Sequence, residues 1–167
     1  MELDNINERV KRPVFLTVLC ILTFVSTGFG VLSGVSGLLG GAPSEEEIVN
    51  SNIQINQTIE QFQKLKMDGF IHLLKQIQAM TEEIYANFYV YNLLNFLIIC
   101  LGLAGAIYMF KGKKIGFYMY VGYSFAGIIL LYIMISSVNI PLILTVLQLV
   151  LSAIFVFMYS RNLWWMK

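Results

Sequence analysis

The sequence predicts an all-α integral membrane protein, a four-transmembrane-helix bundle with a helical hairpin that protrudes between helices 1 and 2. Of the 167 residues, 57% are hydrophobic and 13% are charged, whereas about 25% are charged in an average soluble domain. Four apolar segments reach or approach the roughly 20 residues that cross a bilayer as a helix. A polar stretch with helical periodicity separates the first two of these segments.

The first apolar segment covers residues 14–40 and contains no charged residue. Residues 1–13, which precede it, form a polar segment that we expect to be cytoplasmic. The apolar run is too long for the core of a typical cleaved signal peptide, so we predict an uncleaved membrane anchor. Cleavage after Ala42 is the alternative.

One face of this first helix carries small residues. At about 100° per residue, four glycines fall within one arc of the helix surface. They are Gly30, Gly34, Gly37 and Gly41. Small residues allow two helix backbones to approach closely in a membrane. The four glycines are therefore the candidate helix-packing seam.

The polar stretch 44–86 is predicted to be an extracytoplasmic amphipathic helical hairpin. Ser44 and Glu47 match the Ser-x-x-Glu pattern of a capping box, and Gly69 marks the turn between the arms. Apolar residues recur at spacings of three and four along both arms. This apolar stripe consists of Ile55, Ile59, Phe62, Phe70, Leu73 and Ile77. Because no Gly or Pro intervenes, we expect the second arm to continue into the next span as one long helix.

Three further spans are predicted over residues 88–110, 115–136 and 141–160. The first two are joined by the short loop 111–114, which contains three lysines, and the last two by four uncharged residues. Both pairs are therefore expected to be antiparallel. Residues 161–167 form a C-terminal tail.

Lys and Arg residues concentrate on one side of the predicted spans. Eight of the eleven lie in segment 1–13, loop 111–114 or tail 161–167. Because cytoplasmic loops carry the excess of positive charge, both termini and this loop are predicted to be cytoplasmic. Aromatic residues near the same helix ends, including Tyr120 and Tyr159, are expected in the interfacial belt. The absence of cysteine from the outer hairpin favours a bacterial inner membrane.

Two amides are candidate intramembrane polar contacts. Asn95 in the second span and Gln148 in the fourth lie at comparable depths from the outer ends of their helices. An amide inside the membrane needs a hydrogen-bond partner. We therefore predict that these two residues help to hold the helices together; the alternative is that they line a small cavity or a lipid-binding groove.

The sequence gives no catalytic, metal or cofactor site. Residues 34–37 resemble the Gly-x-Ser-Gly nucleophile motif of rhomboid-type intramembrane proteases, with Ser36 as the serine. Such a serine needs a base, but the only histidine, His72, lies in the predicted outer hairpin, and no span contains Lys, Asp or Glu. One histidine and two cysteines within apolar runs cannot supply a zinc ligand set. We expect neither enzymatic activity nor a cofactor, and the net charge of +1 gives no indication of nucleic-acid binding.

These observations favour a non-enzymatic accessory or assembly protein whose outer hairpin contacts a partner or the membrane surface. The expected partners are the lipid bilayer and either another membrane protein or further copies of the chain. A small channel or solute carrier formed by oligomerisation is the alternative. The layout of spans and loops is similar to that of claudins, but the first outer loop lacks the tryptophans and cysteines of the claudin motif. No residue role is carried over from that family.

Overall fold

The computed structural model describes residues 12–167, and this part of the chain is helical, without a β-strand. It contains six α-helices and a short 3-10 turn, Ser137–Asn139. The α-helices are α1 (Val14–Gly40), α2 (Glu45–Lys64), α3 (Asp68–Ala86), α4 (Phe88–Phe110), α5 (Ile115–Met134) and α6 (Leu142–Ser160). Most of the predicted cytoplasmic segment 1–13 lies outside the described residues.

Four of these helices, α1, α4, α5 and α6, are long and apolar enough to cross a membrane. The shortest, α6, has 19 residues, which corresponds to about 28 Å at a rise of 1.5 Å per residue. That length is close to the roughly 30 Å of a hydrocarbon core. The helices α2 and α3 are amphipathic, and they follow one another in the chain between α1 and α4.

The ends of α1 and the start of α2 follow from local residue chemistry. α1 begins directly after Pro13 and ends at Gly40; Gly41 has a φ of +83°, which favours glycine over other residues. α2 starts with a capping box, in which the Glu47 N–H donates to Ser44 Oγ at 3.3 Å and the Ser44 N–H donates to Glu47 Oε2 at 2.8 Å. The Ser44 N–H and the Ser44 hydroxyl, which both donate to the Glu47 carboxylate, lower the pKa of Glu47 below its ordinary value.

The predicted continuous helix across the end of α3 is interrupted in the structure. Asn87 lies between α3 and α4 with φ −120° and ψ 33°, outside the helical region. Asparagine tolerates such a break because its side chain competes with helical backbone hydrogen bonds. The expectation of one long helix was therefore wrong, and α3 and α4 are two helices separated by one residue.

α4 occupies the centre of the bundle, with α1 packed on one side and α5 on the other. Its contact with α5 is a backbone contact. A Cβ atom on Gly105 would lie 3.0 Å from the backbone O of Gly116 and 3.0 Å from the backbone N of Tyr120. Only glycine allows two helices to approach this closely. The glycines of α4 and α5 thus set the separation of these helices.

Buried side chains at the lysine-rich end of the bundle form a hydrophobic cluster. It consists of Leu16, Leu19, Cys20, Met109, Tyr120, Tyr159 and Met166. Tyr120 and Tyr159 therefore lie in the core and not in the expected interfacial belt, because their helix faces point inward. The Tyr159 hydroxyl forms a hydrogen bond of 2.7 Å with Thr23 Oγ1, which satisfies both polar groups within the cluster.

The C-terminal tail folds back onto the loop between α4 and α5. The Lys167 N–H donates to the Gly112 carbonyl at 2.7 Å, and the Lys114 N–H donates to the Lys167 carbonyl at 2.9 Å. At the start of α1, the Arg12 guanidinium lies 3.7 Å from the centre of the Phe110 ring. Arg12, this loop and the tail therefore meet at one end of the bundle.

α2 and α3 pack against each other in antiparallel directions. Phe62 and Phe70 stack with ring centres 5.4 Å apart near the turn, and Gln78 Nε2 donates to Asn52 Oδ1 at 3.1 Å farther along the pair. Most of the apolar stripe is turned inward: Ile59 is buried, and the other members are half-buried except for exposed Phe70. The pair therefore turns most of this stripe inward but leaves Val49, Ile53, Leu65 and Phe70 exposed.

α3 is also tied to the connection between α5 and α6. Glu83 accepts hydrogen bonds of 2.6 Å from the Ser136 N–H and 2.6 Å from Asn139 Nδ2, and Gln76 Nε2 donates to the Val138 carbonyl at 2.9 Å. Gln76 and Glu83 are about 10 Å apart along the helix axis, yet both reach segment 136–139. α3 therefore runs alongside this end of the bundle and does not project freely from it.

Replacement of Glu83 by glutamine should release α3 from segment 136–139, because it removes the charge and one of the two acceptor oxygens. Spin labels on the exposed positions Lys75 and Val138, in a chain with Cys20 and Cys100 replaced by alanine, should report a longer and broader distance distribution. Glu82→Gln is the matched control, since Glu82 accepts a hydrogen bond from Asn52 of α2 and none from segment 136–139. An unchanged distance in Glu83→Gln would contradict this role.

The same contact should depend on pH. The hydrogen bonds from Ser136 and Asn139 lower the pKa of Glu83 below its ordinary value of 4.5. Because the carboxylate form is the one bound in the contact, Glu83 stabilises the contact at pH values above its ordinary pKa. This stabilisation is lost as the pH falls through the lowered pKa. The Lys75–Val138 distance should therefore be short at about pH 7 and longer at about pH 3. The Glu83→Gln chain should show no such change with pH.

Candidate functional site

The four glycines of the candidate seam all face α4. A Cβ atom on Gly30, Gly34 or Gly37 would lie close to one α4 side chain. The nearest side chains are Ile99 at 3.1 Å, Phe96 at 2.8 Å and Asn92 at 3.2 Å, in that order. Just beyond the helix, a Cβ on Gly41 would be 3.5 Å from the Tyr89 hydroxyl. The structure thus brings the predicted seam residues together at the α1–α4 interface.

Asn95 and Gln148 line one cavity in the middle of the bundle. This interior cavity has a volume of about 630 Å³, and α1, α4, α5 and α6 all contribute to its wall. Its lining comprises Ser26, Asn95, Ile99, Tyr120, Tyr123, Ser124, Gly127, Leu144, Leu147, Gln148, Leu151, Ser152 and Phe155. The Gln148 amide points towards α5, since a Cβ on Gly127 would be 3.5 Å from Gln148 Nε2.

The polar groups of the interior cavity differ in whether they are paired. The Ser124 hydroxyl donates to the Tyr120 carbonyl in its own helix at 3.0 Å. In contrast, the side chains of Asn95, Gln148 and Ser152 form no hydrogen bond with any residue in the described range 12–167, and neither do the hydroxyls of Ser26 and Tyr123. Two amides and three hydroxyls therefore border the same space with unused hydrogen-bonding capacity.

α6 is held to the bundle at its two ends. Near its start, the Thr145 hydroxyl lies 3.2 Å from the Tyr132 hydroxyl of α5; near its end, Tyr159 is bonded to Thr23 of α1. Only 11% of the most apolar stretch of α6 is buried, against 28% for α1. The interior cavity lies between the two contacts, where α6 stands away from its neighbours.

These two hydroxyl pairs were not predicted from the sequence. Thr145 and Tyr159 share a polar face of α6 with Gln148 and Ser152. The helical periodicity is sufficient to predict that this face turns inward. Which partner each residue reaches depends on the lateral arrangement of the helices. No local sequence signal specifies that arrangement.

A second concavity, the outer cleft, lies between α3 and the start of α6. It has a volume of about 680 Å³, and it is lined from α3 by residues including Phe70, Leu73 and Gln76. The opposite wall is formed by Ser137, Val138, Ile140, Pro141, Leu142 and Ile143. The cleft is mainly apolar, and the exposed His72 is the only histidine among its lining residues.

The candidate catalytic residues Ser36 and His72 lie on different helices, α1 and α3. Ser36 is exposed on α1 and makes no hydrogen bond with another residue of the described chain, and His72 lines the outer cleft on α3. Within residues 12–167 no group of three or more His, Cys, Asp or Glu side chains is placed to hold a metal ion. The interior cavity contains none of these residue types in its wall, and the outer cleft contains only His72.

Comparison of the chain with protein-family models, with curated proteins and with solved structures gives no match.

Substitution of Gly34 by leucine should destabilise the bundle more than substitution of Gly28. A side chain at Gly34 would meet the Phe96 ring, whereas no atom lies within 4 Å of a Cβ on Gly28. Overpacking of a close contact costs about 1–3 kcal/mol, so Gly34→Leu should lower the melting temperature in detergent and Gly28→Leu should leave it nearly unchanged. Equal melting temperatures would remove the argument for the seam.

Proposed function

We propose that this chain is a four-span integral membrane protein without enzymatic activity, an accessory or assembly protein whose α2–α3 pair contacts a partner protein or the membrane surface. It resides in a bacterial inner membrane with both termini in the cytoplasm. The observation that carries the proposal is the position of the α2–α3 pair: it is tied to one end of the bundle and leaves apolar side chains exposed at its turn.

The apolar surface of the bundle supports its placement in a membrane. On α1, the face opposite the glycine seam exposes Ile21, Val25, Leu32, Val35 and Leu39. Such a continuous apolar surface would be unfavourable in water. No Lys, Arg, Asp, Glu or His lies within the four candidate spans, so none of them carries the cost of a charge in hydrocarbon.

The distribution of charge supports the orientation. Loop 111–114 and tail 161–167 are hydrogen-bonded to each other at one end of the bundle, and Arg12 packs beside them. Arg12, Lys111, Lys113, Lys114, Arg161 and Lys167 thus make this end of the described chain rich in lysine and arginine, and the positive-inside rule assigns it to the cytoplasm. The α2–α3 pair then lies on the opposite side of the membrane.

Exposed apolar residues at the turn of the α2–α3 pair support a contact function. Leu65 is 66% exposed and Phe70 is 50% exposed, and farther along α2 Val49 and Ile53 are exposed as well. Phe70 also lines the outer cleft beside Leu142 and Ile143, which begin a candidate span. The turn therefore lies near the level at which the apolar surface of the bundle starts, where it can meet lipid or another membrane protein.

A small channel or solute carrier formed by oligomerisation is the second candidate, and the interior cavity is the observation that favours it. The unpaired amides of Asn95 and Gln148 could border a hydrated path. A solute flux into proteoliposomes that is lost when both amides are replaced by leucine would favour this candidate over the accessory role.

The orientation can be tested with single cysteines in a chain whose Cys20 and Cys100 are replaced by alanine. Gln61→Cys on α2 should react with a membrane-impermeant thiol reagent in intact cells, whereas Lys113→Cys should react only after permeabilisation. Lys113 is preferred to Gly112, because Gly112 has a φ of +76° and packs against Trp165. The reverse labelling pattern would invert the topology.

The contact function can be tested with a photo-crosslinking amino acid at Leu65 or Phe70 in native membranes. We expect a discrete adduct from these positions and none from Gln57 or Gln61, which lie exposed on the polar face of α2. A protein adduct that disappears in a Leu65→Ser chain, with the crosslinker at Phe70, would identify a partner; a lipid adduct would identify the membrane surface. Equal labelling from all four positions, or no adduct, would overturn the proposed role.

A further inference from the structure

We infer that the interior cavity is a binding site for an uncharged lipid whose polar part consists of hydroxyl and carbonyl groups, as in a diacylglycerol. The inference rests on the proposed placement of the bundle in a membrane, but it does not depend on the accessory role. It concerns a different surface from the α2–α3 pair, and it assigns a ligand class to Asn95 and Gln148.

The size of the interior cavity fits a ligand. Its volume of about 630 Å³ lies within the roughly 300–1,000 Å³ typical of small-molecule sites. A smaller pocket of about 110 Å³ adjoins it and shares Ser26, Tyr120, Tyr123 and Phe155. The space is therefore much larger than a defect in side-chain packing, which rarely exceeds the volume of a water molecule.

The unpaired polar groups indicate what the ligand must offer. The amides of Asn95 and Gln148 can each donate and accept hydrogen bonds, and the Ser152 hydroxyl can do the same. Unpaired polar groups in an apolar environment are costly, and these three have no partner within residues 12–167. An occupant with a hydroxyl donor and carbonyl acceptors would satisfy them.

The absence of charge in the wall indicates that the ligand is neutral. None of the thirteen lining residues is Lys, Arg, His, Asp or Glu. A phosphate or an ammonium group would enter this site without a counter-charge, which is strongly unfavourable within a membrane. Phospholipids with charged headgroups are therefore disfavoured relative to a lipid that ends in hydroxyl and ester groups.

The rest of the wall suits acyl chains and leaves a lateral entrance. Leu144, Leu147 and Leu151 of α6 line the interior cavity and remain exposed in the bundle, Leu147 by 54%. Residues that belong both to the cavity wall and to the lipid-facing surface mark a sideways opening. A lipid can thus place its polar part beside the amides while its chains remain in the bilayer.

The test uses the full chain in phosphatidylcholine nanodiscs that contain a diacylglycerol with a diazirine in one acyl chain. Peptide mapping after illumination should find adducts enriched on the wall segments 123–127 and 144–155. A phosphatidic acid probe with the same acyl chains should label these segments much less. Adducts of either probe on the exposed face of α1, for example at Phe29 or Leu32, report membrane placement, so their complete absence would count against that placement and not against the site.

Replacement of both Asn95 and Gln148 by leucine should reduce the diacylglycerol adducts on the wall segments by about fivefold, since two hydrogen-bonding groups are lost. Asn92→Leu is the matched control: Asn92 lies one turn from Asn95 but bonds to the Phe88 carbonyl of its own helix and should leave labelling unchanged. Gly127→Val keeps both amides and fills part of the cavity, so it should also reduce labelling.

Three results would overturn the inference. They are equal labelling of the wall segments by the neutral and the phosphate-bearing probe, undiminished labelling in both the double variant and Gly127→Val, and labelling of the wall no stronger than that of the outer face of α1. The last result would indicate a cavity occupied by water. If the Asn95/Gln148 double variant aggregates in size-exclusion chromatography, the adduct yield of Gly127→Val, which leaves both amides intact, decides the test instead.

Discussion

The arrangement of the bundle depends on the close approach of α4 to its two neighbours. Glycines of α1 receive side chains of α4 on one side, and on the other side Gly105 and Gly116 bring the backbones of α4 and α5 into contact. In the proposed bilayer setting no hydrophobic force would draw these helices together, so van der Waals contact at short distance would have to do so. α1, α4 and α5 therefore form a closely packed group with α4 at its centre.

α6 is attached to this group by a different means. It contains no glycine, so its distance from α5 is set by side chains and not by the backbone. The hydroxyl pairs of Thr145 with Tyr132 and of Tyr159 with Thr23 hold its ends. Between them, α5 presents the small residues Ser124 and Gly127, which do not fill the space. The interior cavity follows from this combination of pinned ends and small facing residues.

Local properties of the sequence were sufficient to predict four long apolar helices and the glycine-bearing face of α1. Features that depend on neighbours could not be predicted in the same way. The break at Asn87 has no Gly or Pro signal, and the inward direction of Tyr120 and Tyr159 is a matter of helix face and not of distance from the helix end. Asn95 and Gln148 could be assigned a common depth, but the space between them arises only from how α6 packs.

The α2–α3 pair and the interior cavity share a structural support. Glu83 and Gln76 of α3 bind segment 136–139, which leads through the buried Pro141 into the first turn of α6. Leu144 in that turn region lines the interior cavity, and Thr145 makes the outer attachment of α6. Hydrogen bonds from α3 therefore hold the short connection that positions the end of α6 bordering the cavity.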